Sequence, residues 1–155
     1  MIPCPNQSPL KRQTTRILTW NANGLLARKT ELAQYMKAEK IDIALIAESH
    51  LTSRSYAEIR NYKLYRCNHP NDAAHDGAAL YIRNTIPHYE ISPYCTEPNQ
   101  AADIATRLHC GTELVIAAVY SPPKHKFTSC QYSRFLNHLG NKWIIGGDFN
   151  AMHPY

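Results

Sequence analysis

Several protein classes are excluded by what this chain does not contain. No apolar run approaches the ~18 residues that would cross a membrane, and Pro3, Pro5, Pro9 and basic residues stand where a secretory signal needs an apolar core. These absences predict an intracellular chain, cytoplasmic or nuclear, with no membrane partner. The five cysteines, at 4, 67, 95, 110 and 130, are odd in number and share no Cys-x-x-Cys spacing. That argues against a disulfide framework or a zinc knuckle, and for packing residues in a reducing compartment. Neither Gly-x-Gly-x-x-Gly nor Gly-x-x-x-x-Gly-Lys-Ser/Thr follows the first apolar run, which removes the common nucleotide-binding loops. No His-x-x-x-His occurs among the eight histidines, and there is no internal repeat.

What is present is an ordinary globular balance, 44% hydrophobic and 19% charged, at a length of 155 residues that suits one domain. The formal charge of +5 favours a polyanionic partner. It is spread along the chain, at Lys11, Arg12 and Arg16, at Arg54, Arg60 and Arg66, and at Lys124 and Lys126. Residues 1–14 are rich in Pro, Gln, Asn and Ser and read as a flexible leader, leaving 15–155 as the folded part.

From Ile17 the pattern alternates strands and helices. Ile17 to Trp20 reads as a short strand closed by Asn21-Ala22-Asn23-Gly24, and Leu32, Ala33, Tyr35 and Met36 then recur at helical spacing. Ile41 to Ala47 is a nearly continuous apolar run, expected of a strand buried on both faces, and it ends at Glu48. The polar stretch from Ser49 to Asn61 is expected to hold a short helix around Ala57. Tyr62–Cys67 and Ala78–Arg83 read as antiparallel strands, Tyr89 as part of an edge strand, and Ala101–His109 with Glu113–Tyr120 as a hairpin around Cys110-Gly111. Tyr132, Phe135, Leu136 and Leu139 give one apolar helix face, and Trp143-Ile144-Ile145 is expected as a last buried strand. This order predicts an α/β fold, a mixed sheet with helices on one side. The other side needs a cover, and strand residues from Ala101 to Tyr120 are expected to lie exposed without one.

The apolar strands end in polar groups: Asn21, Glu48, Tyr120 and Asp148. Taken singly, each is as well explained by a chain leaving its core, although ligand sites also gather at strand ends. In Asp148-Phe149-Asn150 an extended backbone would send the carboxylate and the amide to one face and the ring to the other; Asn21 and Asn23 repeat the device.

Four segments in order, Trp20-Asn21-Ala22-Asn23-Gly24, Glu48-Ser49-His50-Leu51, Val119-Tyr120-Ser121-Pro122 and Gly147-Asp148-Phe149-Asn150-Ala151, resemble the motifs of the endonuclease/exonuclease/phosphatase superfamily. More narrowly, the chain resembles the apurinic-type endonuclease domains of jockey-like non-LTR retrotransposons. The resemblance implies part of a four-layer α/β sandwich with mixed sheets, with the first sheet and its flanking helices present and a C-terminal part missing. It implies a Mg²⁺-dependent endonuclease that nicks DNA and leaves a 3′-hydroxyl for the reverse transcriptase domain of the same element to extend. Glu48 matches the principal metal ligand, and Asp148 the group that aligns or deprotonates the attacking water. Asn21 and Asn150 match amides holding phosphate, water or the metal shell, and Tyr120 a phenol aimed at the scissile phosphate. Asn23 stands where relatives often carry an acidic residue, and His50 and His153 lie close in sequence to the matched carboxylates. A closing Ser-Asp-His-type motif has no match here, so this chain alone is expected to nick little or not at all. The competing expectation is a non-catalytic relic that binds nucleic acid weakly; a small-molecule phosphatase or lipid phosphodiesterase would need substrate loops not identified here.

Overall fold

A computed structural model describes residues 14–96, 99–107, 111–124 and 128–151. Nearly all of the expected leader, and His153, lie outside them. The elements run β1 (Ile17–Asn21), α1 (Leu25–Ala38), β2 (Ile43–Ala47), β3 (Tyr62–Cys67), β4 (Ala78–Arg83) and β5 (His88–Glu90). They continue with β6 (Cys95–Thr96), β7 (Asn99–Arg107), β8 (Glu113–Tyr120), α2 (Ser129–Leu139) and β9 (Trp143–Asp148).

Two sheets form rather than one. The first has the order β1-β2-β4-β3 and the second β5-β7-β8-β9, with β6 paired to β7. In each, a single pair is parallel, β1 with β2 and β8 with β9, and each parallel pair is joined through a helix. A parallel neighbour requires a crossover, and the helix that makes it covers the sheet's outer face.

Side-chain alternation then fixes the layers. In β2, Ala44 and Ile46 pack with Leu25, Leu32 and Met36 of α1, while Ile43, Leu45 and Ala47 face the second sheet. In β4, Ala79 and Tyr81 join the α1 side, and Ala78, Leu80 and Ile82 the inter-sheet side. In β8, Ile116, Ala118 and Tyr120 meet the first sheet, while Ala117 and Val119 lie under Phe135 and Leu139 of α2. The result is a four-layer sandwich, helix on sheet on sheet on helix. Thr128 starts α2 with a capping box to Gln131.

Four expectations are corrected. The cover for the first sheet comes from residues 88–148 of this chain, so Ile116 to Tyr120 are buried rather than exposed. The side chains of residues 101–105 lie outside the description. No helix forms around Ala57. There Leu51, Ala57 and Ile59 turn inward, and backbone carbonyls are satisfied by side chains: Tyr81 Oη donates to Ala57 (2.6 Å), Arg66 to Ser55 (3.0 Å) and Lys29 to Tyr56 (3.3 Å). Those partners replace the ladder a helix would have needed. The third correction is β9: it ends the strand order of its sheet, and Trp143 and Ile144 are 41% and 39% exposed. Cys67 is disulfide-bonded and not the free packing thiol expected.

The two glycines before Asp148 allow the sheets to meet. A Cβ at Gly146 would stand 2.6 Å from Leu45 Cδ1 and 3.1 Å from Thr19 Oγ1, both on the first sheet. Gly147 has φ +152°, and a Cβ there would overlap the Val119 carbonyl on the neighbouring strand. Backbone strain and a main-chain overlap would act together. Gly147→Ala is therefore expected to destabilise the fold by about 2 kcal/mol or more. Urea unfolding monitored by circular dichroism measures it, and a change below about 0.5 kcal/mol would contradict this account of the strand.

Candidate active site

Both parallel pairs deliver their C-terminal ends to the same place. Asn21 is level with Ala47, so Glu48 follows directly beside it, and Tyr120 is level with Asp148 on the other sheet. Asn21 joins the two halves: its Nδ2 donates to Glu48 Oε1 at 2.8 Å and to Asp148 Oδ2 at 3.2 Å. The amide is oriented by its own oxygen, which accepts the Asn23 backbone N–H at 3.1 Å.

That last contact is repeated at Asp148, whose Oδ1 accepts the Asn150 N–H at 2.9 Å. Asn23 and Asn150 have φ of +42° and +44°. Each strand thus ends in a side-chain-closed turn rather than the extended pleat the spacing predicts. The turn alters the expectation for Asn150. Its Nδ2 donates to the Ser121 carbonyl at 2.8 Å, while the Ser121 N–H returns a bond to the Asp148 carbonyl at 2.8 Å. The amide fastens the loop after β8 to the end of β9. Phe149 packs inward against the α2 cluster.

Glu48 and His50 both have left-handed backbone, with φ of +50° and +52°. For residues other than glycine this conformation is sparsely populated. It is held by lacing on both sides: the Glu48 and Ser49 carbonyls accept from Gly24 and Leu25, and the Ser49 and His50 N–H groups donate to Gly77 and Asp76. His50 Nε2 lies 3.7 Å from Glu48 Oε2.

Asp76, just before β4, was not singled out in the sequence. Because β4 runs antiparallel to β2, with Ala47 opposite Ala78, its preceding residues sit beside those that follow β2. That register was the available signal. Tyr120, only 5% exposed, lies within reach of the Asp76 charge. Burial first, then the charges of Glu48, Asp76 and Asp148, push the Tyr120 phenol well above its usual range, and burial does the same for Tyr81.

Three carboxylates therefore surround one neutral phenol. Among the described residues their ion-pair partners are histidines only, His50 at Glu48 and His69 and His75 at Asp76; no Lys or Arg reaches them. The donors are hard oxygens with excess negative charge, a set that fits a divalent cation such as Mg²⁺.

A model of the endonuclease/exonuclease/phosphatase family matches residues 18–155. The chain belongs to that family. It is 31% identical over 146 residues to the RNA-directed DNA polymerase from mobile element jockey of Drosophila melanogaster. It is 30% identical over 139 residues to the probable RNA-directed DNA polymerase from transposon X-element of the same fly. These alignments take in 94% and 89% of this chain but 16% and 15% of the relatives. Among solved structures, the endonuclease domain of TRAS1, a telomere-specific non-LTR retrotransposon, superposes with a TM-score of 0.70 at 22% identity. The Xenopus laevis APE2 catalytic domain does so at 0.59 and 17%. Each likeness covers 89% of this chain, with 61% of the TRAS1 chain and 59% of the APE2 chain, and establishes the shared fold. Among the described residues no helix is long and apolar enough to cross a membrane.

The raised phenols carry a pH consequence. Folding keeps Tyr81 and Tyr120 protonated, so the unfolded chain loses those protons first, and stability falls as pH rises above the ordinary value of 10.0. Urea midpoints measured across the alkaline range should drop more steeply for the parent than for Tyr120→Phe or Tyr81→Phe. Equal slopes in all three would refute the assignment.

Proposed function

We propose that the carboxylate cluster is the metal-holding and water-positioning part of a DNA endonuclease that nicks one strand. The Asn21 carboxamide shared between Glu48 and Asp148 carries this reading, because it gathers two acidic groups without neutralising them. Glu48 is the metal ligand, and Mg²⁺ is the ion its hard oxygens suit. Bound there, the cation would offset charge developing on the phosphate and the departing oxygen. Asp148 orients the attacking water through a carboxylate oxygen and accepts its proton as the water oxygen bonds to phosphorus. Cleavage of the bond from phosphorus to the 3′ oxygen, which takes a proton from solvent water, leaves the 3′-hydroxyl. Tyr120, kept neutral, is a hydrogen-bond donor for a phosphate oxygen rather than a repelling phenolate. Asn21 acts by holding both carboxylates, and Asn150 by fixing the loop on which Tyr120 ends.

The relatives named as RNA-directed DNA polymerases support a reverse transcriptase domain as the partner that would extend the nick. Families that share this fold also cleave other phosphoesters; the net charge of +5 favours DNA over a small substrate.

Relaxation of supercoiled plasmid by the purified chain tests the reading. The chain spans 61% of the TRAS1 structure it resembles, and nicking is the readout. It should require Mg²⁺, stop with EDTA, and fall at least about tenfold in Glu48→Ala and Asp148→Ala. A folded preparation that leaves the plasmid intact, or variants that nick as well as the parent, would favour the binding relic. That alternative predicts salt-sensitive DNA binding indifferent to Glu48→Ala.

A further inference from the structure

The loop between β3 and β4 gathers a second set of polar groups beside the carboxylate cluster. His69, His75 and Asp76 each offer one ligand atom, and the three atoms lie within 4.8 Å of one another. His75 Nδ1 stands 2.9 Å and His69 Nε2 3.9 Å from the same oxygen, Asp76 Oδ2. The loop is fastened on both flanks. Asp72 accepts from the Ser53 N–H and hydroxyl at 2.6 Å each, and the Asp76 and Gly77 carbonyls accept from His50 and Ser49.

His69 is oriented by Asn71, whose Oδ1 accepts the Ala73 N–H at 3.0 Å and lies 2.5 Å from His69 Nδ1. That contact leaves Nε2, 3.9 Å from Asp76 Oδ2, as the ring nitrogen turned toward the carboxylate. A histidine held through its other nitrogen is the usual arrangement of a metal ligand.

We propose that His69, His75 and Asp76 form a binding site for a first-row transition cation of the Zn²⁺ type, beside the hard-oxygen cluster with which it shares Asp76. Two imidazoles and one carboxylate suit such ions, whereas Mg²⁺ prefers oxygen alone. Tetrahedral bonds of 2.0–2.2 Å place ligand atoms about 3.4 Å apart. The 2.9 and 3.9 Å separations bracket that value, and His75, with its side chain 52% exposed, is free to close the remainder. Because the Asp76 charge also acts on Tyr120, the ion would sit beside the end of β8. The proposal stands apart from the endonuclease reading, whose metal ligand is Glu48 and whose ion is Mg²⁺, although Asp76 lies in both clusters.

The test is Zn²⁺ titration of the purified 155-residue chain in excess Mg²⁺, by competition with a chromophoric chelator, together with the absorption spectrum of the Co²⁺ form. Cys130→Ser serves as background, because that thiol is free and exposed. One equivalent should bind, with affinity falling at least about tenfold in His69→Ala and in His75→Ala. Glu48→Gln and the control His88→Ala should leave it unchanged. His75 is half exposed, so its variant should keep the parent's circular dichroism and isolate the loss of a ligand. Absence of saturable uptake, uptake undiminished in His75→Ala, or uptake abolished by Glu48→Gln alone would each overturn the proposal.

Discussion

One carboxamide holds the site together. Asn21 comes from the first strand and Asp148 from the last, 127 positions apart, yet a single nitrogen donates to Asp148 and to Glu48. Two like charges at such range repel, and the repulsion grows as they leave water. The amide offers two N–H donors and no charge, so it binds both groups while leaving their negative potential intact for a cation. A lysine in its place would neutralise the cluster, and an apolar residue would leave the carboxylates opposed. The backbone contact from Asn23 turns the amide the required way, and the two glycines before Asp148 let the second sheet approach closely enough for the bond to form.

Much of this was legible in the chain. Continuous apolar runs such as Ile43–Ala47 announced strands buried on both faces, and the polar residues that ended them marked one edge of the sandwich. What escaped depended on partners distant in sequence. The segment around Ala57 has residues compatible with a helix, but Tyr81, Arg66 and Lys29 supply its hydrogen bonds from elsewhere. The exposure of Trp143 and Ile144 follows from the rank of β9 in its sheet, which hydrophobicity does not encode. Asp76 lies in a loop that looked merely polar; only the antiparallel register of β2 with β4 brings it beside Glu48. The second sheet was legible strand by strand, yet the fact that it covers the first required knowing which faces of β4 and β8 meet.

Left-handed backbone also concentrates here. Asn23, Glu48, His50, Asp76 and Asn150 all have positive φ. Such residues cost on the order of 1–3 kcal/mol each when strained, and persist where surrounding structure leaves no alternative. Asparagine, aspartate and histidine tolerate the conformation best, so the least expected member is Glu48, with His50 two residues on. Their placement has a geometric reason. A strand that simply continued would carry the Glu48 side chain past the edge of the sheet; the reversal turns it back toward Asn21, while Gly77 and Asp76 accept the N–H groups that the turn would otherwise strand.

Tyr120 shows how burial and charge act in one direction. The inter-sheet core removes the phenol from water, and three carboxylates oppose its ionisation, so it remains a donor across the range in which DNA is stable. The same carboxylates would be poor company for a phosphate. Only a cation reconciles an anionic substrate with an anionic pocket, and among the described residues no Lys or Arg side chain supplies it. The acidic cluster and the proposed polyanionic substrate are thus compatible only as parts of a three-component site, which is why the donor chemistry, rather than the basic net charge, is the stronger support for the proposed metal-dependent phosphodiesterase.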